Sequence, residues 1–276
     1  MPLRLQDIQS AQNPRIKALR SLQEKSRERK EKGLFVVEGR RESAHCLEGG
    51  FRAREVFLCG DIIGGREREE LLSLLEASTP EPLQVNLIPK GLYAKLAVRE
   101  GTEGVIAVFQ EKERTLSSLS LGDNGLVLVL EGVEKPGNLG AVLRTADAAA
   151  IDAVLLCDPL CDIHNPNLIR SSIGAVFTVP TVACTSEEAC AFLRERGFAI
   201  YTAQLQDSLP YYDAPMTGPT AIVMGTESTG LTGLWRKAAS RHIRIPMLGK
   251  LDSLNVSVSA SILVFEAVRQ RQTSKG

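Results

Sequence analysis

The most informative part of the sequence is the segment IPMLGKLDSLNVSV, which spans residues 245–258. Residues 243–246 predict a strand, and the largely polar residues from Gly249 to Asn255 predict a loop. Residues 256–268 are predominantly apolar and are followed by Arg269 and Arg271, so they predict a helix buried on nearly all sides. Because one small domain rarely covers a helix all round, this pattern also indicates a subunit interface.

Two earlier segments also combine an apolar strand with a glycine-containing turn. In the first, a strand at 126–130 precedes a predicted helix at 138–150, with Asn138 placed to cap it and Arg144 two turns further on. In the second, IVMGTESTGL at 222–231, Glu227 lies in the turn, where it could bind a hydroxyl or amine or cap the next helix. Taken alone, each segment is equally compatible with a turn packed only for stability.

The order of the predicted elements indicates an α/β protein of two domains. Apolar strands alternate with helices after residue 126, which is typical of a parallel sheet covered on both faces. Residues 1–112 predict a smaller α/β domain that begins with one long helix at 10–33. The polar residues 113–125 predict a linker, so the second domain is expected at 126–276.

Charge is balanced overall but not locally. The 33 Lys and Arg residues equal the 33 Asp and Glu residues, which excludes a uniformly basic surface. Residues 1–41 contain eleven basic and five acidic residues, a net charge of +6. This excess predicts phosphate contacts, although a solvated helix is the alternative. The low aromatic content, 5%, argues against a base-stacking platform and favours structured RNA recognised through its backbone.

The cysteines and the amino-terminal residues bear on location. The six cysteines are scattered without paired spacing, so we expect ordinary thiols and neither a disulfide framework nor a metal site. The sequence shows no early apolar stretch of the signal-peptide type and no run of about 20 apolar residues. The expected compartment is the cytoplasm.

In this order, the three segments resemble the SpoU (TrmH-type) family of the SPOUT RNA methyltransferases. Residues 35–39, 104–108, 165–166 and 170–174 also look like the family. Two positions depart from its pattern: Ser228 stands where glycine is usual, and Ser259 where alanine is usual. The motif residues that carry the resemblance are Asn138, Gly140, Arg144, Thr145, Gly225, Glu227, 245–247 and 253–258.

The resemblance implies a fold and an activity. The carboxyl-terminal domain would be a trefoil-knotted parallel sheet, and the amino-terminal domain an L30e-like unit that binds RNA. The protein would be a homodimer that transfers a methyl group from S-adenosyl-L-methionine to a ribose 2′-hydroxyl of RNA. The residues implied to hold this cofactor are Met224, Gly225, Ile245, Met247, Leu254 and Asn255.

The resemblance also implies catalytic residues. Arg144 would activate the 2′-hydroxyl together with an RNA phosphate. Because arginine loses its proton with great difficulty, we favour charge stabilisation and orientation over action as a base. Asn138 belongs to the same motif, and Glu227, Asn255 and Ser257 would orient Arg144, the ribose or the methionine end. Helix capping is the competing interpretation of Asn255 and Ser257.

The expected RNA contacts lie mainly in the basic amino-terminal segment. Arg170 is a candidate phosphate contact, with a salt bridge as the alternative. The other residues predicted to bind RNA are Lys17, Arg20, Arg27, Arg29 and Lys30.

The sequence leaves three alternatives to methylation of ribosomal RNA. Ribosomal RNA is the favoured substrate, by analogy only, and transfer RNA is the alternative. A catalytically silent RNA-binding protein of ribosome assembly could use the same scaffold. A nucleotide-dependent dehydrogenase is disfavoured because no GxGxxG follows a strand.

Overall fold

The computed structural model describes residues 3–78, 82–98, 103–226 and 229–274. Its strands, in chain order, are β1 (Arg4–Asp7), β2 (Leu34–Glu38), β3 (Arg52–Leu58), β4 (Gln84–Leu87), β5 (Val105–Gln110), β6 (Leu126–Glu131), β7 (Ala153–Cys157), β8 (Thr181–Cys184), β9 (Ala199–Ala203), β10 (Leu209–Pro210), β11 (Thr220–Met224) and β12 (Arg241–Arg244).

The α-helices connect most of these strands. In chain order they are α1 (Pro14–Glu24), α2 (Ser26–Lys32), α3 (Arg40–Glu48), α4 (Gly65–Ser78), α5 (Lys90–Tyr93), α6 (Pro136–Ala148), α7 (Pro166–Ser172), α8 (Ala175–Thr178), α9 (Ser186–Glu195), α10 (Gly233–Ala238) and α11 (Val256–Thr273). Within the described part of the chain, none of the helices combines the length and hydropathy needed to cross a bilayer.

The chain divides into two compact units. The first comprises Met1–Glu113 and Asp162–Thr178, and the second comprises Arg114–Cys161 and Val179–Gly276. The segment Asp162–Thr178 therefore packs with the first unit although its chain neighbours on both sides belong to the second. The domain limits expected from the sequence are 1–112 and 126–276. That these ranges fold as separate domains stays a prediction.

The first unit contains a mixed five-stranded sheet in the order β1-β4-β3-β5-β2. Strand β5 runs antiparallel to β2 and β3, whereas β1, β4 and β3 are parallel. Phe35 of β2 stacks on His164 and on Phe177, with ring centroids 4.1 Å and 5.6 Å apart. These aromatic contacts are part of what holds the segment Asp162–Thr178 in this unit.

The second unit contains a parallel seven-stranded sheet in the order β10-β12-β9-β11-β6-β7-β8. Residues of β6, β7 and β11 are buried throughout, as expected for strands covered on both faces. Helices α9 and α10 pack on its core through residues such as Leu193 and Trp235. Helices α6 and α11 pack against each other. Helix α6 also packs against β7, and α11 packs against β11.

Three details differ from the elements predicted from sequence. The single helix expected at 10–33 is broken at Lys25, whose extended backbone separates α1 from α2 without a proline or glycine to signal the break. Strands β1, β8 and β10 were not predicted. Helix α11 is not buried on all sides in this chain, because Val258 and Phe265 are each 46% exposed.

Candidate active site

The three motif segments meet at one edge of the second sheet. Strands β12, β9, β11 and β6 are parallel neighbours, so their carboxyl ends lie at the same edge. The segments that begin at Gly132, Gly225 and Ile245 directly follow β6, β11 and β12. This is the edge at which open α/β sheets bind ligands.

A cavity of about 450 Å³ lies between the segments that follow β11 and β12. Its wall is partly apolar, with Leu231 and Leu263, and partly polar, with Gln204, Asp252 and Ser253. Asn255, which was also predicted to hold the cofactor, does not line the cavity, although its neighbour Val256 does. The predicted cofactor residues that line the cavity are Met224, Gly225, Ile245, Met247 and Leu254.

The two sides of the turn after β11 are joined by hydrogen bonds. Thr226 forms an isolated antiparallel bridge with Gly230, and the Thr229 N–H donates to Thr226 Oγ1 over 3.0 Å. Gly225 lies so close to Gly230 that a Cβ atom there would collide with the Gly230 carbonyl. The Gly225 backbone can therefore lie in the cavity wall only because this residue has no side chain.

A smaller cavity of about 140 Å³ adjoins the first. The two share Gly225, Thr226 and Val256 in their walls. Asn138 and Lys135 line the smaller cavity, so the first motif borders the same space as the second and third.

Asn138 and Asn255 are joined across 117 residues of chain. The Asn255 side-chain amide donates to Asn138 Oδ1 over 3.1 Å. Asn255 Oδ1 accepts from the Ser257 backbone N–H at 2.9 Å and from Ser257 Oγ at 2.6 Å. Asn255 thus caps α11, as the competing interpretation held, and also contacts the first motif.

The capping role predicted for Asn138 is wrong. Helix α6 begins at Pro136, and its N-cap is Lys135. Proline suits the first helical position because its missing N–H would have no partner there. Asn138 consequently lies inside the first turn, and its side chain reaches Asn255.

Two further groups of polar contacts at this site were not predicted from the sequence. Thr145 Oγ1 lies 2.8 Å from Ser261 Oγ, which joins α6 to α11, and Ser261 Oγ donates to the Ser257 carbonyl over 2.9 Å. Glu131, at the end of β6, is 5% exposed and accepts hydrogen bonds from Ser186 and Thr232. Thr145 belongs to the first motif, so the sequence singled it out, although without its partner. Nothing in the sequence around Glu131 indicated that it would bind Ser186 and Thr232.

Arg144 projects from α6 as an exposed residue. Among the described residues, its guanidinium has neither a hydrogen-bond partner nor an ion-pair partner, and it does not line either cavity. Its charge is therefore accessible to a ligand. Glu227, the other charged candidate, lies outside the described residues, as does its neighbour Ser228.

The basic candidates of the first unit separate into two groups. Lys17, Arg27 and Lys30 are exposed, and Arg20 is half-buried. Arg27 forms an (i, i+4) ion pair with Glu31 at 2.6 Å, a contact of little energy at an exposed site. These four residues remain candidates for RNA contacts.

Arg29 was predicted to bind RNA, but its burial contradicts this role. It is 4% exposed and donates to Asp162 Oδ2 at 2.7 Å and to the Leu22 carbonyl at 2.6 Å. Burial acts to raise the pKa of Asp162, but hydrogen bonds from the His164 N–H and from Arg29 outweigh it, so this pKa lies below its ordinary value. Arg29 is a structural residue that holds the segment Asp162–Thr178.

Arg170 lies on that same segment, at the end of α7, and is exposed. It borders a shallow depression of about 20 Å³ together with Gln23 and Glu38. This position keeps Arg170 accessible on the first unit.

The cysteines show no grouping of the kind that binds metals. Among the residues described, no three His, Cys, Asp or Glu side chains come close enough to hold an ion. Cys157 and Cys184 are register partners on β7 and β8. Hydrogen bonding to Cys184 and burial raise the pKa of the Cys157 thiol, which keeps it protonated.

Comparison with known proteins decides the family. The model of the SpoU rRNA methylase family matches residues 125–265, and that of the MRM3-like substrate-binding domain matches residues 13–107. The chain belongs to the SpoU rRNA methylase family. This membership confirms the predicted family, the α/β fold class with its SPOUT-type parallel sheet, and the enzyme class of RNA methyltransferase.

Individual relatives match 80% to 95% of this chain. It is 34% identical over 226 residues to the 23S rRNA (guanosine-2′-O-)-methyltransferase RlmB of Escherichia coli strain K12, across 80% of this chain and 91% of RlmB. It is 28% identical over 261 residues to the 23S rRNA (guanosine(2553)-2′-O)-methyltransferase RlmP of Bacillus subtilis strain 168, across 95% and 98% of the two chains.

A solved relative contains the expected cofactor. The SpoU methyltransferase AviRb from Streptomyces viridochromogenes, in complex with the cofactor AdoMet, superposes with a TM-score of 0.85. The two chains are 26% identical, and the match covers 95% of this chain and 99% of AviRb.

Proposed function

We propose that this protein transfers a methyl group from S-adenosyl-L-methionine to a ribose 2′-hydroxyl of ribosomal RNA of the 23S type. The observation that carries the proposal is the 450 Å³ cavity, because its walls are built from the second and third motif segments and the smaller cavity beside it is lined by Asn138 of the first. The RlmB and RlmP relatives, both 23S rRNA 2′-O-methyltransferases, support this choice of substrate.

The residues of the cavity fit the cofactor. Its volume lies within the range of about 300 to 1,000 Å³ that is typical of small-molecule sites. Leu231, Ile245 and Met247 would cover a purine ring, and the absence of a side chain at Gly225 lets a ligand approach the backbone. When bound, S-adenosyl-L-methionine supplies a methyl group on a positively charged sulfur.

The chain's own residues would align and polarise the RNA. The exposed guanidinium of Arg144 can bind a phosphate and stabilise negative charge that develops on the 2′-oxygen. Asn138, Asn255 and Ser257 form a hydrogen-bonded group that orients the attacking ribose or the methionine end. Alignment of this kind accounts for a large part of the rate in a direct displacement.

The first unit would hold the RNA. Charged side chains on its surface supply affinity that depends on salt rather than on base identity. The match of residues 13–107 to a substrate-binding domain supports this assignment. The residues we assign to phosphate contacts are Lys17, Arg20, Arg27, Lys30 and Arg170.

We further assign the protein to a homodimer in the cytoplasm, where ribosomal RNA is found. Val258 and Phe265 are exposed on α11, and Leu248 and Leu251 before it are 98% and 76% exposed. A second copy packed on α11 would cover such apolar side chains, which water otherwise surrounds.

The decisive experiment is methyl transfer from tritiated cofactor to RNA of a strain that lacks this protein, followed by mapping of ribose methylation. We expect incorporation into 23S-type ribosomal RNA at one or a few nucleotides. Incorporation only into transfer RNA would replace the substrate. Binding of ribosomal RNA without any incorporation would favour the silent assembly protein.

A further inference from the structure

Glu131 is a buried carboxylate without a cationic partner. It is 5% exposed, and among the described residues it pairs with no Lys, Arg or His side chain. Its Oε1 atom accepts from Ser186 Oγ at 2.9 Å and from Thr232 Oγ1 at 2.8 Å, and its Oε2 atom accepts from the Thr232 backbone N–H at 2.8 Å. Two of these three hydrogen bonds therefore come from a single residue.

Thr232 directly follows the turn that lines the cavity. Residues 225, 226 and 229–231 contribute to the cavity wall, and Thr232 is the N-cap of α10. The Thr232 hydroxyl accepts no capping hydrogen bond from that helix, and its proton is donated to Glu131. Glu131 thus holds the carboxyl end of the turn.

Gly132 supports the opposite end of the same turn. Its backbone is left-handed, with φ +65°, and a Cβ atom built on it would lie 2.9 Å from Thr226 Cγ2. Thr226 therefore packs directly on the Gly132 backbone. Two consecutive residues at the end of β6 hold both ends of the turn, Thr226 and Thr232.

Burying a carboxylate costs more free energy of desolvation than burying an apolar side chain of the same size. Burying a charged group without a counter-ion is unfavourable, and an apolar residue of similar size often serves packing equally well. The three donors compensate for this burial, and they lead to the cavity wall through Thr232. The arrangement is accordingly better suited to positioning the turn than to stabilising the sheet.

We propose that Glu131 is a positioning residue that holds residues 225–226 and 229–232 in the arrangement that binds the methyl donor. This inference rests on the proposed function, because it takes the 450 Å³ cavity as the donor site. A binding site that is correctly formed only part of the time loses apparent affinity in proportion to that fraction. Glu131 would raise donor affinity by keeping the turn formed before binding.

The test compares S-adenosylhomocysteine binding by calorimetry in matched variants of the full chain. Glu131→Gln keeps the size of the side chain but replaces one acceptor oxygen with a donor, so at least one hydrogen bond is lost. We expect a Kd about 10-fold higher for Glu131→Gln and for Thr232→Val, and a near wild-type Kd for Thr232→Ser, which keeps the hydroxyl. Affinity for RNA should stay unchanged in all three.

Asp158 supplies a control at the same edge of the sheet. Its Oδ2 atom lies 2.7 Å from Ser186 Oγ, whose one proton it shares with Glu131, and it accepts from the Ser186 N–H at 3.1 Å. Among the described residues Asp158 has no hydrogen bond to Thr232. Asp158→Asn should therefore leave the Kd for S-adenosylhomocysteine within about twofold of wild type. Fluorescence of Trp235, the single tryptophan, shows whether each variant is folded at the assay temperature.

The outcomes distinguish a failure of the positioning role of Glu131 from a failure of the proposed function. Wild-type affinity in folded Glu131→Gln would overturn the positioning role, and so would equal losses in Glu131→Gln and Asp158→Asn. If the folded wild type binds no S-adenosylhomocysteine, the proposed function fails and this inference fails with it.

Discussion

The side-chain amide of Asn255 donates a hydrogen bond to the side-chain oxygen of Asn138 over 3.1 Å. The direction of this bond is set by the other end of the amide, because Asn255 Oδ1 accepts from the Ser257 N–H and hydroxyl. One residue therefore caps α11 and joins the third motif to the first. The two roles can be separated by substitution.

We expect Asn255→Ser to keep the helix cap and lose the contact with Asn138. Serine is a good N-cap but is too short to reach across to Asn138. Methyl transfer should fall by about tenfold, while the melting temperature stays close to wild type. Asn255→Ala should lose the same activity and also about 1 kcal/mol of stability. A fully active Asn255→Ser protein would show that the contact has no catalytic use.

Arg144→Ala should abolish most of the activity without affecting the fold. The guanidinium is exposed and has no partner among the described residues, so no stabilising contact is removed. We expect kcat to drop by about 100-fold or more, with unchanged binding of S-adenosylhomocysteine. Arg144→Lys should recover little, because lysine lacks the bidentate geometry. The control is Arg194→Ala, an exposed arginine on α9, and equal rates for the two alanine variants would refute the assignment.

Replacing the four basic candidates by glutamine should flatten the salt dependence of RNA binding. With Lys17, Arg20, Arg27 and Lys30 neutral, the slope of log K against log salt should decrease by about 3, since each phosphate contact contributes about 0.7 to 0.9. A matched control neutralises four exposed basic residues outside residues 1–41: Arg66, Arg194, Lys237 and Arg241. The same slope in both proteins would mean that the amino-terminal charges are merely solvated.

The Arg29–Asp162 pair makes stability depend on pH. Because the pKa of Asp162 is lowered in the folded protein, the pair stabilises above the unfolded value of about 3.9, and this contribution is lost as pH falls through the folded value. Asp162→Asn leaves the buried Arg29 charge unpaired and should lower the free energy of unfolding at pH 7 by about 3 kcal/mol.

Denaturant titrations followed by circular dichroism at pH 7 and pH 3 provide the measurement. The difference between wild type and Asp162→Asn should shrink at the lower pH, because Asp162 is then largely protonated in the unfolded chain and its lowered pKa stabilises the fold less. A constant difference would show that the stabilisation does not come from ionised Asp162.

Phe265→Asp should convert a dimer into monomers. Phe265 is 46% exposed on α11, and a buried charge in an interface has no compensating partner. Light scattering at working concentration should report half the wild-type mass. Leu160→Asp changes a more exposed apolar residue, 68% exposed and away from α11, and should keep the wild-type mass. A monomeric wild type would refute the dimer itself.

Much of this molecule could be read from local patterns. The apolar runs at 126–130 and 153–157 predict strands buried on both faces, and the structure places both in one parallel sheet. The glycine turns after β6 and β11 are predicted equally well, because short apolar runs and the glycines after them act within a few residues. The motif residues indicated the family because each motif is a short, continuous stretch of sequence.

The tertiary structure alone decided which of these residues touch. Arg29 was expected on the surface, but Asp162, 133 residues away, holds it inside the first unit. Asn138 was expected to cap a helix, but α6 begins earlier and turns its side chain towards Asn255. Glu131 gave no local sign of its bonds to Thr232. Periodicity predicts which face of an element is buried, whereas the partner of a polar side chain depends on how distant segments pack.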